Sequence, residues 1–427
     1  MMATLLALVF GAVLYFFEVH VSLIAMQWMG AITGALFFFL VVFTYLSMIR
    51  PLQWAEVMAT PRVSELVRGD TSLKYLSLGL LMLPVSSLVI AAAALPEGWL
   101  DNTTLFCIWL VFVGISIDLL RTYSSRLSNY FNPALVIKSI VQRGQADIAQ
   151  GRDAELCDWI ATLSETSLMS LKRHGFSLGE RAISGIIALM QRFLEVHRRS
   201  LQTEAADAKV HQRTTYVLFY GFERLQLIYS HAVQEHLEPV CSHIVTSLGK
   251  VALAAAYGDI SKVSFALHYI GTLADQALQA NMPDVSVKAN LTLLEVGKVI
   301  LSEVDLSKSN VRDPLSNLVG HLEDIAKATF RRDKESNIFM LTQPIRDFKA
   351  ALLAHALAER HDMKSVVAVV DNVLSDFENL QLVLNTIPPI PDIPVADDSL
   401  PEIPELAKAE AERAKKQAQK PLESTSA

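Results

Sequence analysis

Cysteine is scarce in this chain: only Cys107, Cys157 and Cys241 are present, and no two stand at a CxxC spacing. Zinc ribbons and thiol redox sites require that spacing, and a disulfide framework needs more cysteines than these. Nucleotide and metalloprotease signatures are missing too. There is no GxxxxGK[ST], no GxGxxG opening a helix after a strand, and no HExxH, so P-loop, dinucleotide-binding and zincin chemistry have no support. The nearest approach to a metal set is His231, Glu235, His236, Glu238, Cys241 and His243. On a helix His231 and Glu235 share one face, His236 and His243 share another, and Pro239 interrupts the run. Tetrahedral ligation needs three or four groups converging on one point. Ordinary polar helix surface is therefore expected, with no metal and no cofactor.

Sustained basic charge is also lacking. Lys172-Arg173-His174, His197-Arg198-Arg199 and Arg331-Arg332 are short, and the formal net charge is −7. A nucleic-acid partner calls for a continuous basic face and is not expected; any of these groups near a membrane would suit anionic lipid heads. No catalytic constellation emerges, and the chain is not expected to be an enzyme.

What the chain has instead is apolar sequence, concentrated at its front. Crossing a hydrocarbon core of roughly 30 Å takes about 20 apolar residues at 1.5 Å each. Four runs within 1–122 approach that length, at about 1–17, 27–49, 75–95 and 104–120. The first lacks the basic flank and small-residue cleavage site of a signal peptide, so it is taken as a retained span. Residues 50–74 carry Arg50, Arg62, Arg68 and Lys74, and Arg121, Arg126 and Lys138 follow the fourth run; 18–26 and 96–103 have no Lys or Arg. The positive-inside rule then predicts two hairpins with their turns outside and both termini cytoplasmic. Trp28 and Trp99 would mark the outer boundary, Trp54 and Tyr75 the inner.

Within these runs Asp118 is the one acid at depth, and a pairing with Arg121 or Arg126 is expected. Gly30 and Gly34 form a small-xxx-small pair suited to close helix approach within the bundle or between subunits. Pro84 is expected to kink the third span. In the 50–74 connection, Pro51 and Thr60-Pro61 each predict the start of a short amphipathic helix. The face made by Val63, Leu66 and Val67 would lie on the inner leaflet or pack on the cytoplasmic domain.

From 133 onward apolar residues recur at three and four spacings, predicting helix after helix. Breaks are expected at Asn132-Pro133, Gly151, Gly175 to Gly179, Tyr257-Gly258-Asp259, Asn281 to Asp284, Asp313-Pro314 and Arg332-Asp333. An echo runs through this part. Leu248-Gly249-Lys250-Val251 is similar to Val296-Gly297-Lys298-Val299, and Ile270-Gly271-Thr272-Leu273 to Val319-Gly320-His321-Leu322, with Tyr220-Gly221-Phe222 as a fainter copy. A spacing near 48 residues that holds two helices predicts stacked pairs of the HEAT or armadillo kind. Beyond Thr386 the strip Ile387-Pro388-Pro389-Ile390-Pro391-Asp392-Ile393-Pro394 has a three-residue beat. In a polyproline II helix Ile387, Ile390 and Ile393 line one edge and Pro388, Pro391 and Pro394 the next, which suits either partner docking or a spacer. The last residues, to 427, predict a charged, frayed helix.

The stretch TPRVSELVRGDTSLKYLSLGLLML, with Pro61, Arg62, Arg68 and Asp70, resembles a family of uncharacterised bacterial membrane proteins with four spans ahead of a soluble half. That resemblance implies a bacterial inner membrane and no particular activity. Together these readings predict an all-α protein: a transmembrane region (1–122), a cytoplasmic helical domain (123–386) and a Pro-rich tail (387–427). The expected role is a membrane scaffold or adaptor, with the lipid bilayer and a protein partner or further copies of the chain as its contacts. A homo-oligomeric ion channel with a cytoplasmic vestibule is the alternative.

Overall fold

The computed structural model describes residues 2–17, 22–58, 63–93, 102–201, 208–307, 310–334 and 336–386. Every regular element among them is helical; none is a strand. The chain divides into two units, Met1–Leu374 and Ser375–Ala427, and the second is described only as the end of the last helix. The strip Ile387 to Pro394, the charged tail after it, Trp99, the expected helix start at Thr60-Pro61, and residues 18–21 and 96–101 of the two expected outer turns lie outside the described residues.

The front holds α1 (Met2–Phe16), α2 (Leu23–Met58), α3 (Val63–Gly69), α4 (Thr71–Ala93) and α5 (Asn102–Ser128). The two expected hairpins are only half present. α4 packs on α5, but α1 packs on α5 rather than on α2, and α2 packs on α4. The helices thus lie in the order α1, α5, α4, α2. Two contacts account for the position of α1. A methyl on Gly114 would come within 2.8 Å of the Ala7 Cβ and 2.9 Å of the Ala3 carbonyl oxygen, so only glycine lets α1 approach so closely. Asp118, expected to pair with Arg121 or Arg126, finds partners on α1 instead: it accepts from the Ala3 and Thr4 amides at 3.3 and 3.0 Å and from the Thr4 hydroxyl at 2.6 Å. It thereby satisfies amides that every helix start leaves open.

Other expectations also shift. α1, with 15 residues, covers about 22 Å, less than a hydrocarbon core. α2 continues through Pro51 as one 36-residue helix, so Pro51 starts no new element. Val63 and Leu66 of α3 are wholly buried, and the Arg143 guanidinium donates to the Leu66 carbonyl at 2.7 Å. That face therefore packs within the protein, not on lipid.

The stack comprises α6 (Pro133–Gln150), α7 (Asp153–Lys172), α8 (Phe176–Leu201), α9 (Ala208–Gln234), α10 (Glu238–Ala256), α11 (Val263–Gln279), α12 (Pro283–Glu303), α13 (Arg312–Arg332), α14 (Ile338–Ala354) and α15 (His361–Thr386). Several of the expected turn residues mark helix ends, while Asp313-Pro314 falls in the first turn of α13. Asn132 caps α6 by accepting from the Ala134 amide, and Gly151 closes it in the left-handed region at φ 70°. Asn281, φ 64°, turns the chain ahead of Pro283.

From α6 to α14 each helix touches its sequence neighbour and also the next helix of its own row. α6, α8, α10, α12 and α14 form one row, and α7, α9, α11 and α13 the other. Along α8 and α10 the contacts recur every seven residues. Ser184 meets His243 at 3.0 Å, the Gln191 amide donates to the Lys250 carbonyl at 3.4 Å, and Arg198 Nε donates to the Tyr257 carbonyl at 3.1 Å, each pair 59 residues apart. A constant offset means that the two helices run parallel. One helix later, between α9 and α11, the offset falls to 46, where the Tyr269 hydroxyl donates to Glu223 at 2.5 Å. The expected period near 48 thus fits only part of the stack, because α8 and α9 have 26 and 27 residues while α10 and α11 have 19 and 17.

The glycine echo has a physical cause. A methyl on Gly249 of α10 would lie 2.5 Å from Thr292 of α12, and one on Gly297 of α12 would lie 2.7 Å from Phe348 of α14. Each glycine sits where successive helices of one row come closest. Gly320, the echo of Gly271, has open space around it. We therefore expect opposite outcomes from two small changes. Gly297→Ala forces Phe348 aside and should destabilise by about 1–3 kcal/mol. Gly320→Ala should stabilise by roughly 0.5–1 kcal/mol through helix propensity alone. Thermal melts of the two variants check this; shifts of the same sign would contradict the packing role.

Candidate functional site

Three surfaces have the composition of contact sites. The first is apolar. α1, α2, α4 and α5 turn large hydrophobic side chains outward, among them Phe10 and Phe16, Phe38 and Phe39, Leu81 and Val85, and Ile108 and Phe112. α2, α4 and α5 hold stretches long and apolar enough to cross a membrane, by length and composition. α10 also passes that test, contrary to the expectation that nothing after 122 would. Its apolar residues are buried: Ile244, Val245, Val251 and Ala252 are inaccessible. A helix packed on nearly all sides must be apolar nearly all round.

Within the front, the glycine pair lies on a buried stripe of α2 that includes Met26, Gly30, Gly34 and Phe37. A methyl on Gly34 would stand 3.4 Å from Ser87 and 3.6 Å from the Pro84 carbonyl oxygen of α4. The stripe thus faces a helix of the same chain.

The second surface is a polar cleft where the front meets the stack, lined by Asp70, Arg126, Asn129, Tyr130, Leu135 and Lys138, with Ser139 and Gln142 beside them, about 370 Å³ in volume. Asp70 caps α4, accepting from the Ser72 and Leu73 amides at 2.9 and 3.3 Å and from the Tyr130 hydroxyl at 2.9 Å. Burial pushes its carboxyl up, but the hydrogen bonds from Tyr130, Leu73 and Ser72 and the nearby Arg126 charge outweigh that and hold it below the ordinary carboxylate value. Sequence reasoning noted Asp70 within a resemblance and missed the cleft. An acid directly ahead of Thr71-Ser72-Leu73 and a long apolar run was the available signal; nothing local connects Tyr130 to it.

The third lies along the row of odd-numbered helices. Between α11 and α13 a cleft of about 380 Å³ is lined by His268, Asp275, His321, Asp324, Lys327 and Arg331. The rings of His268 and His321 are 5.8 Å apart between centroids, because Gly271 leaves room for His321: a methyl there would be 2.5 Å from its Nδ1. On α9, Tyr216, Phe219 and Leu227 are exposed, and Tyr220, Glu223 and Arg224 border a further cleft beside Leu227. The six residues once considered for a metal disperse. Cys241 is buried, His243 turns to Ser184, and His236 adopts φ 52° in the turn before α10. Among the described residues no three His, Cys, Asp or Glu side chains are grouped to hold a metal ion.

No family model matches this sequence, and no curated protein does. Among solved structures, a circular tandem repeat protein with novel repeat topology and enhanced subunit contact surfaces aligns over 85% of each chain, at 16% identity and a TM-score of 0.37. A likeness that loose carries no argument about this chain.

The histidine pair generates a pH dependence. Burial, and then His268, lower the His321 pKa below 6.5, with Asp324 pulling the other way. Burial lowers His243 as well. A histidine held neutral when folded binds a proton more readily when unfolded. Its contribution to stability is full above about pH 6.5 and is lost as pH falls through the lowered folded value. Melting temperature should therefore drop between pH 7 and pH 5, and His321→Gln should flatten that slope while His243 keeps the remainder. An unchanged slope in the variant would exclude the cleft as its source.

Proposed function

We propose that the chain is a membrane-anchored helical scaffold that presents its stack to a protein partner on the cytoplasmic side. The observation that carries this reading is the contrast between the two parts. Apolar side chains face outward on all four long front helices, whereas the stack buries most of its apolar residues and turns outward a surface that includes charged clefts. Exposed apolar area on that scale needs a covering, and a bilayer is the covering that fits helices of this length and composition. The cationic residues at 50–74 and after 121 support the cytoplasmic side for the stack. The resemblance around Pro61 to Asp70 supports a bacterial inner membrane. Stacked helix pairs of the HEAT or armadillo kind present extended surfaces for partners, and the exposed Tyr216 and Phe219 on α9 are aromatic anchors of the sort that dominate such contacts.

Two measurements test the proposal. The protein should remain in the membrane fraction after alkaline extraction. A partner should then co-purify from detergent with the full chain and be lost from a Tyr216→Glu, Phe219→Glu double variant of unchanged melting temperature. Release at alkaline pH would remove the anchor, and an identical set of co-purifying proteins from both forms would remove the assigned docking face.

A further inference from the structure

We propose that the cleft between the start of α4, the end of α5 and the start of α6 binds the phosphate of an anionic phospholipid headgroup. The inference rests on the membrane reading and gives that reading a chemically specific contact.

Charge is the first argument. Arg126 and Lys138 both line the cleft, are exposed, and form no ion pair with a described residue. Asp70 is the one acid in the lining; one of its oxygens accepts from two α4 amides and the other from Tyr130. An incoming phosphate therefore meets two cations against one carboxylate, a net positive lining. Asn129, Ser139 and Gln142 add neutral donors on the same wall. By contrast, the α11–α13 cleft sets Asp275 and Asp324 against Lys327 and Arg331, a balance that favours no anion.

Position is the second argument, and it favours a lipid over a dissolved ion. The outward apolar belt ends near Tyr75 on α4 and Ile117 on α5. At 1.5 Å per residue, Asp70 lies about 8 Å beyond that edge and the Arg126 backbone about 14 Å beyond it. Headgroups occupy roughly 5–8 Å outside the hydrocarbon on each side, and a long arginine side chain covers the difference by reaching back toward the interface. Leu135, exposed in the lining, offers an apolar contact that inorganic phosphate would not use. Arg143 bonds to the Leu66 carbonyl and ties α6, which carries Lys138, to α3.

The test uses the full chain. Binding of short-chain phosphatidylglycerol and phosphatidylcholine to protein in neutral detergent is compared by native mass spectrometry at low and high salt, with inorganic phosphate as a competitor. The expected result is a preference for phosphatidylglycerol of about tenfold or more at low salt, shrinking as salt is added. Arg126→Gln with Lys138→Gln should abolish the preference, Arg126→Lys should retain most of it, and Lys327→Gln with Arg331→Gln should leave it unchanged. Melting temperature verifies that each variant is folded. Equal binding of the two lipids by the unmodified chain, or an undiminished preference in the Arg126/Lys138 variant, overturns the proposal. Displacement of the lipid by millimolar phosphate overturns its assignment to a headgroup. Flotation with phosphatidylcholine vesicles separates the two levels: a chain that floats without headgroup preference loses only this inference, and one that fails to float loses the membrane reading with it.

Discussion

Close backbone approach between helices two places apart in the chain is the constraint on which the larger part of this structure depends. A helix that touches only its sequence neighbours forms hairpins; one that also touches the next helix of its own row forms a stack. Gly249 and Gly297 occur where that second contact is tightest, against Thr292 and Phe348. Helices are close enough there that even a methyl collides, and interiors packed at crystal-like density do not absorb such volume without displacement. The same constraint explains the character of α10. Flanked by α8, α9, α11 and α12, it has little surface left for polar residues, and a helix in the middle of a packed stack acquires the hydropathy of a membrane span.

Much of this organisation is legible in the amino-acid sequence, because its local signals are chemical. Asn132-Pro133 and Gly151 mark the ends of α6 since a side-chain acceptor, a fixed φ and a left-handed φ each have a single structural use there. The glycine echo between 249 and 297 was visible for the same reason, as a position that tolerates no side chain. What the sequence could not show is which helix answers which. Nothing near Met2 to Phe16 indicates that its partner is α5, since the deciding residues, Gly114 and Asp118, lie far along the chain. Pro51 misleads because proline is tolerated in a helix when neighbouring groups compensate. The cleft at Asp70 was illegible for a comparable reason: Tyr130 and Lys138 join Asp70 only after α4, α5 and α6 have packed.

The junction between front and stack is more than a linker. Arg143 of α6 reaches the Leu66 carbonyl of α3, Tyr130 reaches Asp70, and the core of the front continues through Tyr123 and Leu127 toward Tyr130 and Phe131. Two part-buried hydrogen bonds flank a continuous apolar contact here.

The pairing of α1 with α5 imposes an order on assembly. Thr4 and Asp118 are separated by 114 residues, so α1, made before α5, waits for it before it acquires this partner. Until then Gly114 has no helix against it, and α1 must persist as a lone apolar segment while α2 and α4 are made. A ribosome adding roughly 5–20 residues per second leaves that segment exposed for many seconds, a period in which whatever receives nascent apolar helices must hold it.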